Sequence, residues 1–205
     1  MAEPDRRQVD DLRIEQLTGE AVRRHIPDLA RLRIQVFREW PYLYEGDDAY
    51  ERQYLETYIR SPSAVVILAS DGDQVIGAST ALPLADEAAY VTAPFTRRGV
   101  DVARHFYFGE SVLDRPYRGR GIGVRFFEER EAHARRFGTY ETTCFCAVQR
   151  PDDHPLRPKD YVPLDAFWGR RGYAKDLAFL AHFSWRDIDG DGETEKPMAF
   201  WFKRL

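Results

Sequence analysis

The sequence concentrates its chemistry in Arg118-Gly119-Arg120-Gly121-Ile122-Gly123, between an apolar strand-like segment at 105–113 and a helical pattern at about 121–137. Glycines let an anion approach several backbone N–H groups, and a helix N-terminus adds a favourable dipole. Two arginines add charge. The turn therefore suits a phosphate or pyrophosphate, and a tight strand-to-helix turn without a ligand is the plain alternative. A Walker A loop would end in Gly-Lys-Ser/Thr, which is missing here. A dinucleotide fingerprint fails because Val124 stands where its last glycine belongs. Glu141 lies near the spacing of that fingerprint's acidic partner, but the elements upstream read as antiparallel.

The elements that must position this turn follow from periodicity. A short strand at 12–17 precedes a helix at about 27–38, with Pro27 suited to its first turn and Leu29, Leu32, Val36 and Phe37 on one apolar face. A second helix is expected at about 48–60. The run Ala64-Val65-Val66-Ile67-Leu68-Ala69 reads as a strand buried on both faces, joined through Asp71-Gly72-Asp73 to a strand at 75–84. Residues 86–98 are ambiguous, with helix as one reading. A strand at 105–113, the helix at 121–137 and a strand at 142–148 form a right-handed parallel crossover. A proline-rich loop at 149–164, a short helix at about 164–171 and two strands near 177–186 and 196–203 complete the order. Residues 1–10 read as frayed. The fold class is mixed α/β (α+β), one domain over 1–205 with its core at about 12–204.

Composition narrows the function. A chain of 205 residues with net charge −4 is ample for one domain and argues against a broad cationic surface for nucleic acid. No apolar run approaches the ~20 residues of a membrane span, and the polar start carries no secretory signature. The expectation is a soluble cytoplasmic protein with no membrane or nucleic-acid partner, and association as a homodimer is left open. Cys144 and Cys146 share a strand face without ligand-spaced neighbours, so they read as core residues and not as a zinc site. His133 reads as a core histidine. Asp187-x-Asp189-x-Asp191-Gly192 opens like a calcium loop, but Met198 stands at its twelfth position and the flanks are strands. An acidic hairpin turn accounts for it, and no metal is expected.

Arg118-x-x-Gly121-x-Gly123, between strand and helix, resembles the acetyl-CoA pyrophosphate motif of the GNAT (GCN5-related N-acetyltransferase) superfamily. Leu113-Asp114-Arg115-Pro116-Tyr117 resembles that motif's lead-in. Phe167-Trp168-Gly169-Arg170-Arg171-Gly172-Tyr173 resembles the family's later helix ending in Gly and an aromatic, and the element order over about 12–204 is also the family's. The resemblance implies a GNAT fold: a mostly antiparallel sheet with a splayed parallel pair at an acetyl-CoA cleft. Ser111 and Leu113 would offer backbone groups to the pantetheine arm. The N–H groups of Arg120, Gly121, Ile122, Gly123 and Val124 would hold the pyrophosphate, with Arg118 as charge partner. Gly109 within the strand independently suggests a bulge.

The implied chemistry is direct attack of an amine on the thioester, without an acyl-enzyme. Glu110 is the candidate base, because a carboxylate in an apolar strand needs a reason to be there. A solvent-facing or arginine-paired Glu110 is the alternative, and a bulge would decide its facing. Trp168 stands where many members carry a tyrosine acid, so Tyr161 or Tyr173 would have to serve instead, or solvent. Seven aromatics crowd into 37–58. In the family this stretch walls the acceptor pocket, which makes Glu39, Tyr42 and Tyr44 candidate acceptor contacts. The loop at 149–164, stiffened by four prolines, would be a second wall, with Arg150 and His154 as further contacts. The acceptor is expected to be a small-molecule amine; a catalytically silent acyl-CoA-binding module is the alternative.

Overall fold

The computed structural model describes residues 12–205, so the N-terminal stretch read as frayed lies outside the described residues. Seven strands form one sheet in the order β1-β2-β3-β4-β5-β7-β6. They are β1 (Leu12–Leu17), β2 (Val65–Asp71), β3 (Gln74–Pro83), β4 (His105–Leu113), β5 (Thr142–Val148), β6 (Ala174–Arg186) and β7 (Glu193–Arg204). Only β4 and β5 pair in parallel, across α4 (Ile122–Arg135) as the crossover. The remaining helices are α1 (Ile26–Phe37), α2 (Asp48–Arg60), α3 (Ala89–Thr96) and α5 (Asp165–Arg170).

Strand and helix periodicities divide the core into two layers. Leu29 and Leu32 of α1, Leu55 and Tyr58 of α2, and Val91 and Phe95 of α3 pack on one face of the sheet, against Val66, Leu68, Ala78, Cys144 and Phe200. Phe126, Phe127 and Ala134 of α4 pack on the other face, against Val65, Ile67, Phe106, Phe108 and Phe145, with Phe167 and Trp168 of α5 beside them. The ambiguous stretch at 86–98 contains α3, and a 3-10 segment, Gly19–His25, precedes α1. Asp47 caps α2 by accepting from the Tyr50 N–H at 2.8 Å, which fixes where that helix begins. The final hairpin is longer than periodicity alone implied, because β6 starts at Ala174 and β7 at Glu193.

Two irregularities in β4 position the site. Opposite β3, Ser79 faces Ser111 while Ala81 faces Phe108, so one residue of β3 stands against Gly109 and Glu110 of β4. This is a β-bulge. Opposite β5, only His105, Phe106 and Tyr107 are paired, with Thr142, Thr143 and Cys144. Beyond them the two strands continue unpaired to Leu113 and Val148 and leave a V between them.

Candidate active site

The bulge decides where Glu110 points. Side chains alternate along β4, so Tyr107 lies on the α1–α2 face and Phe108 on the α4 face. The inserted residue resets this parity. Ser111 meets Arg130 of α4, whereas Glu110 turns to the α1–α2 face and is 3% exposed. Gly109 is needed at the bend: a Cβ there would lie 2.1 Å from the Tyr58 hydroxyl oxygen and 2.7 Å from Thr80 Oγ1.

Around the Glu110 carboxylate sits a buried charge cluster. Arg33 of α1 donates from Nη1 to Glu110 Oε2 at 2.6 Å and from Nε to Glu51 Oε2, which lies on α2 and is fully buried. The guanidinium lies 4.4 Å from the Tyr54 ring centroid. Tyr58 donates to Glu110 Oε2 at 3.3 Å, and the Tyr58 and Tyr54 hydroxyls are 3.0 Å apart. Burial pushes the Glu110 carboxyl above its ordinary range, and the Arg33 guanidinium pulls it back. Burial works against charge on Arg33 as well, but Glu110 and Glu51 more than offset it and hold the guanidinium protonated. Glu87, between β3 and α3, is pushed up to about 7 by burial, although it accepts from the Ala88 N–H at 3.1 Å. The Oε1 atoms of Glu51, Glu87 and Glu110 are all buried without a partner.

On the opposite face, Arg130 of α4 closes the bulge. It is 1% exposed and donates from Nη1 to the carbonyls of Thr80 (3.3 Å) and Glu110 (3.2 Å), which the interrupted ladder would otherwise leave unpaired. Its other donors reach Ser111 Oγ and the Phe126 carbonyl. Burial lowers this guanidinium to about 10.

The V and the glycine turn adjoin each other. The Asp114 N–H pairs with the Ile76 carbonyl at 2.8 Å, so alternation turns the Val112 backbone toward β3 and that of Ser111 and Leu113 toward the open side. Gly119 and Gly121 take the left-handed conformation (φ 79° and 85°), and Gly121 caps α4. The N–H groups of Arg120, Gly121, Ile122 and Gly123 donate to no backbone carbonyl among the described residues. Val124 differs from expectation: its N–H closes the first turn on the Gly121 carbonyl at 3.0 Å, so it does not belong to the free set. Arg118 and Glu39 meet each other. Arg118 makes a bidentate pair with the Glu39 carboxylate (2.7 and 3.1 Å) and donates to the Leu113 carbonyl at 3.0 Å, strapping the loop after α1 to the mouth of the V. Arg120 stacks its guanidinium over the Tyr117 ring and lines a hollow beside β1.

The two loops read as acceptor walls also meet, through Trp40 against His154 (ring centroids 5.1 Å apart) and Tyr161 (5.9 Å). Arg150, expected as an acceptor contact, is engaged within the chain. Its donors are engaged by the Pro41 and Tyr42 carbonyls and by both oxygens of Asp187, so it clamps the 39–45 loop onto the β6–β7 hairpin. Asp187, first of the three turn aspartates, is further taken up by Lys196 at 3.2 Å. Tyr44 bridges to Asp187 in the same seam. Tyr42 packs on Phe37 and Trp185. The His154 Nδ1 accepts from the Leu156 N–H. Tyr161 contacts Trp40 and Arg157, and has no hydrogen bond to Glu110 or its cluster. Trp168 packs edge-on against Phe145 and Trp201, and Tyr173 is buried on Thr143 and Glu131, away from Glu110's face. Cys144 and Cys146 are buried on one face, and burial pushes the Cys146 thiol up to about 12, unsuited to acting as a nucleophile.

The cluster residues that sequence reasoning passed over carry a signal. Leu29, Arg33 and Phe37 are spaced by four, as are Glu51 and Leu55, and Phe126, Arg130 and Ala134. Each charge thus falls on an apolar helical stripe, where an ion needs a partner. Glu87 has no such signal, because it stands between elements.

Comparison with known proteins agrees with this fold. No curated protein sequence matches the chain. Many solved structures share the fold at low identity. An acetyltransferase from Streptococcus agalactiae has a TM-score of 0.60 at 14% identity, covering 96% of this chain and 99% of that one. A ribosomal-protein-alanine N-acetyltransferase from Brucella melitensis has a TM-score of 0.59 at 16% identity, covering 94% and 99%. An aminoglycoside 6'-N-acetyltransferase complexed with coenzyme A has a TM-score of 0.56 at 16% identity, covering 94% and 96%. The profile of the acetyltransferase (GNAT) family matches residues 30–157, a span that contains Arg33, the bulge, the V and the glycine turn. The chain belongs to the GNAT family of acetyltransferases.

Proposed function

We propose that this acetyltransferase moves an acetyl group from acetyl-CoA to an amine of a small molecule, by direct attack with donor and acceptor bound together. The observation that carries the reading is that one bulge serves both sides of the reaction. It opens the β4 backbone at Ser111 and Leu113 toward the V and turns the Glu110 carboxylate to the opposite layer. Bound acetyl-CoA supplies the activated acyl group. The free N–H groups of Arg120, Gly121, Ile122 and Gly123 fit its pyrophosphate. Arg118 is close enough to exchange Glu39 for a phosphate oxygen. Backbone N–H groups on the open side of β4 stabilise the oxyanion, and Glu110 takes the proton from the ammonium. Tyr42, Tyr44 and the Trp40–His154–Tyr161 contact shape the acceptor side.

Acetyl-CoA should raise the melting temperature, and Gly123→Asp should abolish the shift. A Cβ at Gly123 has room, with Phe167 Cζ nearest at 3.6 Å, and a carboxylate in the first turn suits the helix dipole while repelling phosphate. A free-thiol assay against a panel of amines should then show CoA release that falls about 100-fold or more in Glu110→Gln. Binding without turnover on any amine would favour a silent acyl-CoA-binding module, a reading supported by Trp168 packing on Phe145 and Trp201 where an acid was sought.

A further inference from the structure

Glu110 is 3% exposed, so a proton taken from an acceptor there has no direct contact with bulk water. Arg33 at 2.6 Å stabilises the charged carboxylate against burial and the nearby Glu51, which hold the proton on. One hydrogen-bonded route leads outward. Glu110 Oε2 accepts from the Tyr58 hydroxyl at 3.3 Å, and the Tyr58 hydroxyl lies 3.0 Å from that of Tyr54. Tyr54 lines a hollow of about 390 Å³ between α2 and the start of α3, where Glu87 also sits. Tyr58 is buried and Tyr54 half-buried, so the route runs from the interior to the rim.

We propose that Tyr58 and Tyr54 relay the acceptor's proton from Glu110 to the hollow at Glu87. The inference rests on Glu110 as the base. The ammonium N–H bond breaks and its proton joins the Glu110 carboxylate. Protonated Glu110 passes a proton to the Tyr58 oxygen as the Tyr58 proton moves to Tyr54. The Tyr54 proton goes to water or the Glu87 carboxylate. Rotation of the two hydroxyls restores the start, and nothing is oxidised or reduced. The charged groups facing the route are Arg33 and Glu51 beside Glu110, and Asp86 and Arg60 beside Glu87. Glu87 is suited to the outer end, because its Oε1 has no partner and its carboxyl titrates at about 7.

The test is steady-state kinetics of Tyr54→Phe and Tyr58→Phe with acetyl-CoA and the amine selected by the panel, in dilute buffer and with added imidazole. Tyr54→Phe should lower kcat about tenfold in dilute buffer and leave the KM for acetyl-CoA unchanged. Imidazole, a mobile proton carrier, should restore most of the loss. Tyr58→Phe should be slower still and less well rescued; should it fail to fold, Tyr54→Phe at the rim decides alone. An unchanged kcat in Tyr54→Phe, or a loss that imidazole leaves in place, overturns the relay. If Glu110→Gln is inactive in that case, the base assignment stands. An active Glu110→Gln, or no acetylated amine, overturns the base reading and the relay with it.

Discussion

Arg33 is largely and Arg130 fully buried, both are stacked on aromatic rings, and both are bonded to Glu110, yet they reach it from opposite faces of the sheet. Arg33 binds the carboxylate and shares itself with Glu51, so two anions surround one cation. Arg130 binds only the Glu110 carbonyl and other neutral acceptors, so its charge is not matched by a carboxylate contact. Their titrations diverge accordingly. Burial depresses Arg130 to about 10, whereas Arg33 overcomes the same burial because of its two carboxylates. The difference separates two jobs at one residue: Arg130 fastens the backbone of the bulge, and Arg33 sets the charge of the group the bulge presents.

The largest effect should come from removing Arg33. Arg33→Met leaves the Glu51 and Glu110 carboxylates buried without a cation, and should cost about 3–5 kcal/mol of stability. That cost should depend on pH. Without the guanidinium, Glu110 holds its proton more tightly in the native state than in the unfolded chain, so stability falls as pH rises through the carboxylate range. Urea denaturation from about pH 5 to about pH 8 should show the penalty growing with pH. A penalty that stays flat would mean that Arg33 acts through packing on Tyr54 and not through charge.

Arg130→Met should cost less, about 1–3 kcal/mol, because it orphans neutral carbonyls and also removes a desolvated charge. Its penalty should be the same at both ends of that pH range, since no carboxylate loses a contact. The same denaturation series checks this, and a penalty that rises with pH would erase the distinction between the two arginines. The bulge itself should loosen, so hydrogen exchange at the Glu110 N–H, which donates to Thr80 Oγ1, and at Val112 should accelerate more in this variant than in Arg33→Met.

The two jobs were unequally legible in the sequence. Helix and strand periods placed most elements to within a few residues, and Gly109 inside an apolar strand announced the bulge. The glycine turn was readable because its chemistry is local: consecutive residues supply the N–H groups and the left-handed backbone. The Glu110 cluster is not local. Arg33, Glu51 and Glu110 come from three segments, and their meeting depends on the parity reset at the bulge. Arg150 shows the reverse case. A charge in a polar loop suggested a ligand, but its geometry is a clamp between the Pro41 and Tyr42 carbonyls, 109 and 108 residues away, and Asp187, 37 residues away.

The smallest effect concerns the carboxylate that neither arginine pairs with. Glu87 titrates at about 7 in the native state because burial disfavours its charge. In the unfolded chain it releases its proton near the ordinary carboxylate value, so between these two points the native state binds more protons. Stability must therefore fall as pH rises from the ordinary carboxylate range toward about 7, and level off above it. Glu87→Gln removes this titration. The wild-type protein should lose on the order of 1 kcal/mol across that window that the variant keeps, a modest figure because the residue is only half-buried. Melting temperatures of both proteins at about pH 5 and about pH 8 measure the difference. A variant that tracks the wild type at both values would show that the Glu87 carboxyl reaches solvent freely.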